Sequence, residues 1–201
     1  MEYVTRTEEH KYPRVSVIHD WSADEPEIEF TLLHWHRRNN MHSDAQKIDP
    51  EVFVDEDRYL QADEVEAEYD LLCSWPLYLY EHGGTALSVG QGFSCPWDSG
   101  QVGIVGMTKE QWESFWPSDP WTGSEKQLKR ALALIEGQIE VLDHYHNGRV
   151  YGVVVRPDTD EEEEESCWGF YGLDWDNGMS EYVDEKYHDC LREAMADPEY
   201  K

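Results

Sequence analysis

An excess of acidic side chains constrains this chain more than any other feature of its sequence. Asp and Glu number 44 against 16 Lys and Arg, and the formal net charge is -28 at neutral pH. The acids are spread along the chain, so in dilute buffer they repel one another and destabilise a compact state. At molar ionic strength the Debye length falls to about 3 Å and this repulsion is screened. We therefore expect a fold that salt stabilises, as in a halophile or one of its viruses.

Aromatic residues favour a folded core beneath this acidic surface. The chain has nine Trp, twelve Tyr and five Phe, and each ring can bury roughly 150 to 250 Å². A chain of 201 residues is long enough to bury roughly 70% of its extended surface. Without an internal repeat or a long linker, the sequence predicts a single globular domain over residues 1–201, with an acidic loop at 158–165.

Hydrophobic periodicity predicts an α+β fold. Ser124 and Gln127 fit a capping box, and the apolar residues from Leu128 to Leu142 recur at helical spacing, so we predict a long helix ending near His146. Alternating segments predict strands in adjacent pairs, including a hairpin of residues 75–80 and 85–89. The prediction is an antiparallel or mixed sheet of about six or seven strands, with one long and two or three shorter helices packed on it.

Cysteine spacing and hydropathy predict a cytoplasmic protein, in the host cytoplasm if the protein is viral. No apolar run approaches the length of a membrane-spanning helix, and the charged N-terminal segment is unlike a signal peptide. The four cysteines are widely spaced and form no CxxC pair, which is typical of free thiols in a reducing compartment.

The most distinctive segment is GFSCPWDSGQVGIVG at residues 92–106. It places several chemically useful side chains in a loop between predicted strands, where proteins often hold functional groups. In the alternative interpretation Trp97 fills the core and Asp98 closes a turn through its own backbone. The candidate binding residues of this segment are Trp97, Ser99 and Gln101.

A catalytic site can also be built around Cys95. A nucleophilic cysteine needs a base and a group that orients the base. His82 and Asp98 supply them if the hairpin brings the turn at residue 82 against the loop at residue 95. The alternative is that Cys95 is a small buried thiol, since free cysteine is among the most buried residue types.

The segment from His34 to Arg38 offers a metal site and an anion site. His34 and His36 lie two residues apart on a predicted strand, a spacing at which two imidazoles can hold a divalent metal. Arg37 and Arg38 follow as an adjacent basic pair that can grip a phosphate or a carboxylate. Alternatively the histidines are partly buried and the arginines pair with surface acids. No other cofactor is predicted.

Five segments together resemble a family of small uncharacterised proteins of phages, plasmids and archaeal viruses. They are LLHWHRRNN (32–40), LYLYEHGG (77–84), GFSCPWDSGQVG (92–103), RVYGVVV (149–155) and SCWGFYG (166–172). The family commonly has an Asp-His-Ser-Gly type of turn where this chain has EHGG, so no serine role carries over to Gly83. Trp168, in the last segment, is a further candidate binding residue. The resemblance implies descent from a mobile element.

These observations predict an accessory protein of a mobile element or virus that acts by binding a protein partner, with no direct nucleic-acid binding and no membrane association. The P-loop, GxGxxG, HExxH and GxSxG motifs are absent from the sequence. Two alternatives stay open. One is a small Cys/His-dependent or metal-assisted hydrolase; the other is a DNA mimic, whose carboxylates would reproduce the phosphate array of a duplex.

Overall fold

The computed structural model describes residues 14–38, 41–55, 60–156 and 164–198. Contacts divide the chain into two compact units. The terminal unit comprises Met1–Asp24 and Gly148–Lys201, and the central unit comprises Glu25–Asn147. The single domain expected over residues 1–201 stays a prediction, and most of the acidic loop at 158–165 lies outside the described residues.

The predicted α+β class is confirmed by eight strands and five α-helices in the part of the chain that the structure describes. The strands are β1 (Val15–His19), β2 (Thr31–His34), β3 (Gln46–Lys47), β4 (Leu71–Glu81), β5 (Thr85–Val89), β6 (Ser99–Thr108), β7 (Val150–Val155) and β8 (Glu165–Tyr171). The helices are α1 (Ala62–Glu68), α2 (Lys109–Phe115), α3 (Glu125–His146), α4 (Met179–Tyr182) and α5 (His188–Ala196), with 3-10 turns at Pro50–Phe53 and Glu185–Tyr187. None of the described helices is both long enough and apolar enough to cross a bilayer.

The strands form two sheets, whereas the sequence predicts one. The central unit has five strands in the order β3-β2-β6-β4-β5, and the terminal unit has three in the order β1-β7-β8. Strand β7 follows α3 in the chain but pairs with β1, so that Val15 lies opposite Val155. Local alternation identifies a strand but does not identify a pairing partner that is distant in the chain. The sequence therefore does not predict the division of the strands into two sheets.

Helix α3 forms the core of the central unit with one face of the five-stranded sheet. The predicted capping box is confirmed, since the side chains of Ser124 and Gln127 each accept a backbone N–H of the other residue. The apolar stripe is buried as its spacing predicts. Its residues Ile135, Ile139 and Leu142 belong to one cluster with Leu32, Leu77 and Val105 of the sheet.

The opposite face of the same sheet is also covered. Leu33 and Ile104 point away from α3 and form a second cluster with Val65 of α1. Because successive residues of a strand point to opposite faces, the burial of both Leu32 and Leu33 shows that β2 is covered on both sides. A sheet with two buried faces holds β4 and β6, and the loop that joins β5 to β6, on a rigid base.

In the terminal unit, helices α4 and α5 cover one face of an antiparallel sheet. Met179 and Leu191 pack there against Val17 and Val153. The sequence predicts one final helix from about Ser180, but the structure interrupts it between α4 and α5. The interruption is stabilised by the Asp184 side chain, which accepts the backbone N–H of Lys186 at 3.2 Å and starts a 3-10 turn.

Candidate functional site

The segment between β5 and β6 folds back onto the end of the β4–β5 hairpin. We call residues 92–98 the Trp97 loop. The backbone N–H of Glu81 donates to the carbonyl of Asp98 at 2.8 Å, which fixes the end of the loop against the hairpin. The Ser99 hydroxyl donates to the carbonyl of Cys95, which closes the loop on itself. The loop is therefore held in one conformation by the strands on either side of it.

This folding brings the three candidate catalytic residues together around the Asp98 carboxylate. Oδ2 of Asp98 lies 3.5 Å from the thiol sulfur of Cys95. The same oxygen lies 3.5 Å from Nδ1 of His82. The carboxylate thus stands between the thiol and the imidazole.

The order of these groups differs from that of an activated cysteine. A cysteine nucleophile is activated when a base such as an imidazole contacts the thiol directly. Here the thiol of Cys95 faces the carboxylate of Asp98 instead of an imidazole. His82 is exposed, and its ring contacts Asp98 and not the thiol. The arrangement therefore suits a hydrogen-bonded, negatively charged turn better than a nucleophilic centre.

Beside the Trp97 loop lies an open cleft of about 260 Å³. Two carboxylates face it, from Glu81 at the end of β4 and from Asp98. Nε2 of His36 lies 3.5 Å from Oε2 of Glu81, so the imidazole borders the acidic end of the cleft. The remaining lining residues are Leu79, Trp97, Ser99, Gly100 and Val102.

Trp97 projects from this cleft into solvent. Its side chain is 92% exposed, more than any other large apolar side chain in the described residues. The alternative in which Trp97 fills the core is therefore wrong. The backbone carbonyl of its neighbour Asp98 accepts the N–H of Glu81 in β4, and the loop holds the indole outside the core. An indole held outside the core in this way keeps its apolar surface in water, where a binding partner can cover it.

The other candidate binding residues have different surroundings. The Gln101 amide donates to the carbonyl of Gly103 at 3.2 Å, within its own strand, so Gln101 has a structural partner. Arg37 and Arg38 follow β2 and are exposed. Trp168 belongs to the terminal unit. Glu81 lines the cleft but is not among the predicted site residues. It follows Leu77 and Leu79 at a spacing of two residues in β4, so it lies on the same face of the strand as Leu79, which also lines the cleft.

The histidine pair does not form a three-ligand metal centre. His34 is buried in β2, and burial lowers its pKa, helped by the positive charges of Lys47 and His36. In the part of the chain that the structure describes, neither His34 nor His36 belongs to a group of three His, Cys, Asp or Glu donors within 4.8 Å of one another. The divalent metal at this pair stays a prediction.

The four cysteines are free thiols, as predicted. Cys73 is buried in β4, and burial raises the pKa of its thiol to about 12, with a further contribution from the Glu66 carboxylate. A thiol with so high a pKa is protonated at neutral pH and unreactive. Cys73 therefore acts as a small apolar side chain of the core, packed with Met107 and Trp112.

Comparison of the chain with protein-family models, with curated proteins and with solved structures returns no match. The resemblance carried by the segment CPWDSGQVG therefore stays a prediction. The Trp97 loop and its cleft therefore provide the structural basis for the proposed function.

Proposed function

We propose that the protein binds a basic segment of a partner protein through the Trp97 loop. One observation carries the proposal: an indole that is 92% exposed stands beside a cleft that contains the carboxylates of Glu81 and Asp98. Tryptophan is enriched among the residues that dominate binding energies at protein interfaces. The proposed partner is a cytoplasmic protein, or a protein of the host cytoplasm if this chain is viral.

The chemistry of the cleft favours Arg or Lys as the residue that is bound. A guanidinium or ammonium group over an indole face gains a cation–π interaction. The same cation can donate hydrogen bonds to Glu81 and Asp98, and arginine can do so with two parallel N–H groups. In dilute buffer the net charge of -28 also attracts basic partners over a distance and repels nucleic acid, whereas molar salt leaves only the short-range contacts of the cleft.

The two alternative functions receive less support from the described residues. A cysteine hydrolase requires an imidazole at the thiol of Cys95, and the group in contact with that thiol is the Asp98 carboxylate. A DNA mimic also binds a basic protein, but it does so through an extended array of carboxylates. Loss of a single tryptophan would leave such an array intact, so one substitution separates mimicry from the present proposal.

We predict that Trp97→Ala weakens binding of a fluorescein-labelled arginine-rich peptide by about tenfold, because a partly desolvated cation–π contact contributes up to about 2 kcal/mol. Fluorescence anisotropy in dilute buffer and in molar potassium chloride measures Kd. Trp97→Phe should retain part of the affinity. Val52→Ala is the matched control, since Val52 is also an exposed apolar side chain of the central unit.

Equal peptide affinities of the wild type and Trp97→Ala would contradict the proposal and favour a diffuse acidic array. Absence of peptide binding to the wild type at every salt concentration would contradict it as well. A Kd that rises for Trp97→Ala, rises less for Trp97→Phe and stays constant for Val52→Ala supports it.

We also propose that the acidic surface adapts the protein, as part of a mobile element or virus, to a halophilic host. Exposed ion pairs such as Lys129 with Glu125 contribute little to stability, so the screening of these pairs by salt removes little stability.

We therefore predict that the free energy of unfolding rises with potassium chloride, because screening relieves the repulsion among the acids. Urea titrations in dilute and molar salt measure this change, with sucrose as the control for a general excluded-solute effect. Stability independent of potassium chloride would refute the adaptation.

A further inference from the structure

The terminal unit contains a second cleft, of about 480 Å³, which is independent of the Trp97 loop. Two tryptophans that are partly exposed, Trp21 at 63% and Trp168 at 41%, contribute to its walls. The other lining residues are His19, Asp20 and Ser22. The volume is within the range of small-molecule sites.

The ring of Trp21 is held in place by the residues beneath it. It stacks on the imidazole of His19, with ring centroids 5.0 Å apart and an interplanar angle of 11°. His19 is buried and its ring packs in turn against Tyr151 at 4.6 Å. Trp21 also lies over Gly148, where a Cβ atom would come within 3.3 Å of the indole. Trp21 is thus an exposed ring on a buried aromatic support.

The ring of Trp168 lies directly over Gly152, its partner across the β7–β8 pair. A Cβ atom at Gly152 would overlap three carbons of this indole. Glycine in the interior of a strand is unfavourable by itself. The close approach of the ring explains this glycine, since a side chain at residue 152 would displace Trp168.

The charge of the residues that line this cleft favours a cationic ligand. Oδ1 of Asp20 accepts from both the backbone N–H and the hydroxyl of Ser22, at 3.1 Å each, so the carboxylate has a fixed orientation. No lysine or arginine is among the described residues that line the cleft. Indole faces together with one carboxylate are the usual surroundings of an alkylated ammonium or a guanidinium group. Anions are disfavoured by Asp20 and by the net charge of -28.

We infer that this cleft binds an organic cation, with its ammonium or guanidinium group against the indoles of Trp21 and Trp168 and its charge balanced by Asp20. The cation can be a free small molecule or an alkylated lysine of a partner, since both present the same group. The inference does not depend on the proposed function of the Trp97 loop.

The test uses the full-length protein and follows the shifts of its tryptophan indole N–H signals by NMR. Tetramethylammonium chloride is titrated at constant total chloride, with tert-butanol as an uncharged compound of similar shape. We expect saturable shifts with tetramethylammonium and none with tert-butanol. In a second titration, a peptide with trimethyllysine is compared with the same peptide carrying unmodified lysine, and tighter binding of the trimethylated peptide identifies a partner side chain as the source.

Variants test whether the shifts of the indole N–H signals arise from binding in this cleft. We expect Trp21→Ala and Asp20→Asn each to weaken tetramethylammonium binding, followed at the indole signal of Trp168, about fivefold or more, while Val52→Ala leaves it unchanged. Trp21 is mostly exposed, so its removal should leave the fold intact, and the circular dichroism spectrum checks this. Gly152→Ala, which displaces the ring of Trp168, should weaken binding as well. Equal responses to tetramethylammonium and tert-butanol, or unchanged affinity in Trp21→Ala, would overturn the inference without affecting the Trp97 proposal.

Discussion

Trp112→Ala is expected to lower the free energy of unfolding by about 3 to 5 kcal/mol, the usual cost of removing a buried tryptophan side chain. The side chain of Trp112 is completely buried. Its ring contacts those of Trp116 and Trp121, with centroids 4.2 and 4.7 Å away. Its indole N–H also donates to the carbonyl of Asp119 at 2.6 Å, and loss of this bond leaves an unsatisfied acceptor. Urea unfolding followed by circular dichroism in molar potassium chloride measures the loss.

Trp97→Ala is the matched control for this prediction, because it removes the same side chain from an exposed position. We expect it to change the free energy of unfolding by no more than about 0.5 kcal/mol. Trp112→Phe should fall between the two, since it keeps an aromatic ring and loses the indole N–H. Equal losses of stability in Trp112→Ala and Trp97→Ala would contradict the described burial of these residues.

Gly103→Ala is expected to destabilise the protein by about 3 kcal/mol, at the upper end of the range for overpacked cores. Gly103 lies in β6, opposite His34 of β2. A Cβ atom there would overlap the backbone carbonyl oxygen of Leu33. A backbone oxygen within a sheet cannot move aside as a flexible side chain can, so β2 and β6 would have to separate.

Gly100→Ala provides the comparison within the same strand. A Cβ atom at Gly100 would meet nothing within 4 Å, so the substitution should be within about 0.5 kcal/mol of neutral. The difference between the urea midpoints of the two variants isolates the clash from the general effect of replacing glycine. Coincident midpoints would show that β2 does not approach β6 at Gly103 as described.

The parts of the fold that local sequence signals determine are predicted correctly. Helix α3 has both a capping box at Ser124 and a complete apolar stripe, so its start, its end and its buried face follow from the sequence. The hairpin of β4 and β5 follows from alternation on either side of Gly83 and Gly84. In each case the residues that decide the structure are neighbours in the chain.

Pairing between distant segments could not be predicted in this way. The partnership of β1 with β7 joins residues as far apart as Val15 and Val155, and their alternation is equally compatible with other neighbours. The break between α4 and α5 is held by side-chain bonds of Asp184 and His188 to the backbone, which compete with the helical pattern around them.

The residues of the candidate site could be predicted from the sequence, but their positions relative to one another could not. Cys95, His82 and Asp98 are recognisable by residue type, yet only the folded hairpin puts the carboxylate between the thiol and the imidazole. A single aromatic residue in a loop has no periodic neighbours, so the sequence leaves open whether Trp97 is buried or exposed. The supporting glycines Gly148 and Gly152 have no sequence signal that connects them with Trp21 and Trp168.

The most direct test of the proposed function is an NMR titration of the ¹⁵N-labelled protein with an unlabelled arginine-rich peptide, in which the indole N–H signals of the tryptophans are followed individually. We predict that the Trp97 signal shifts furthest among those of the central unit and reaches saturation, while the signal of the buried Trp112 stays in place. A Trp97 signal that does not move at saturating peptide would contradict the account.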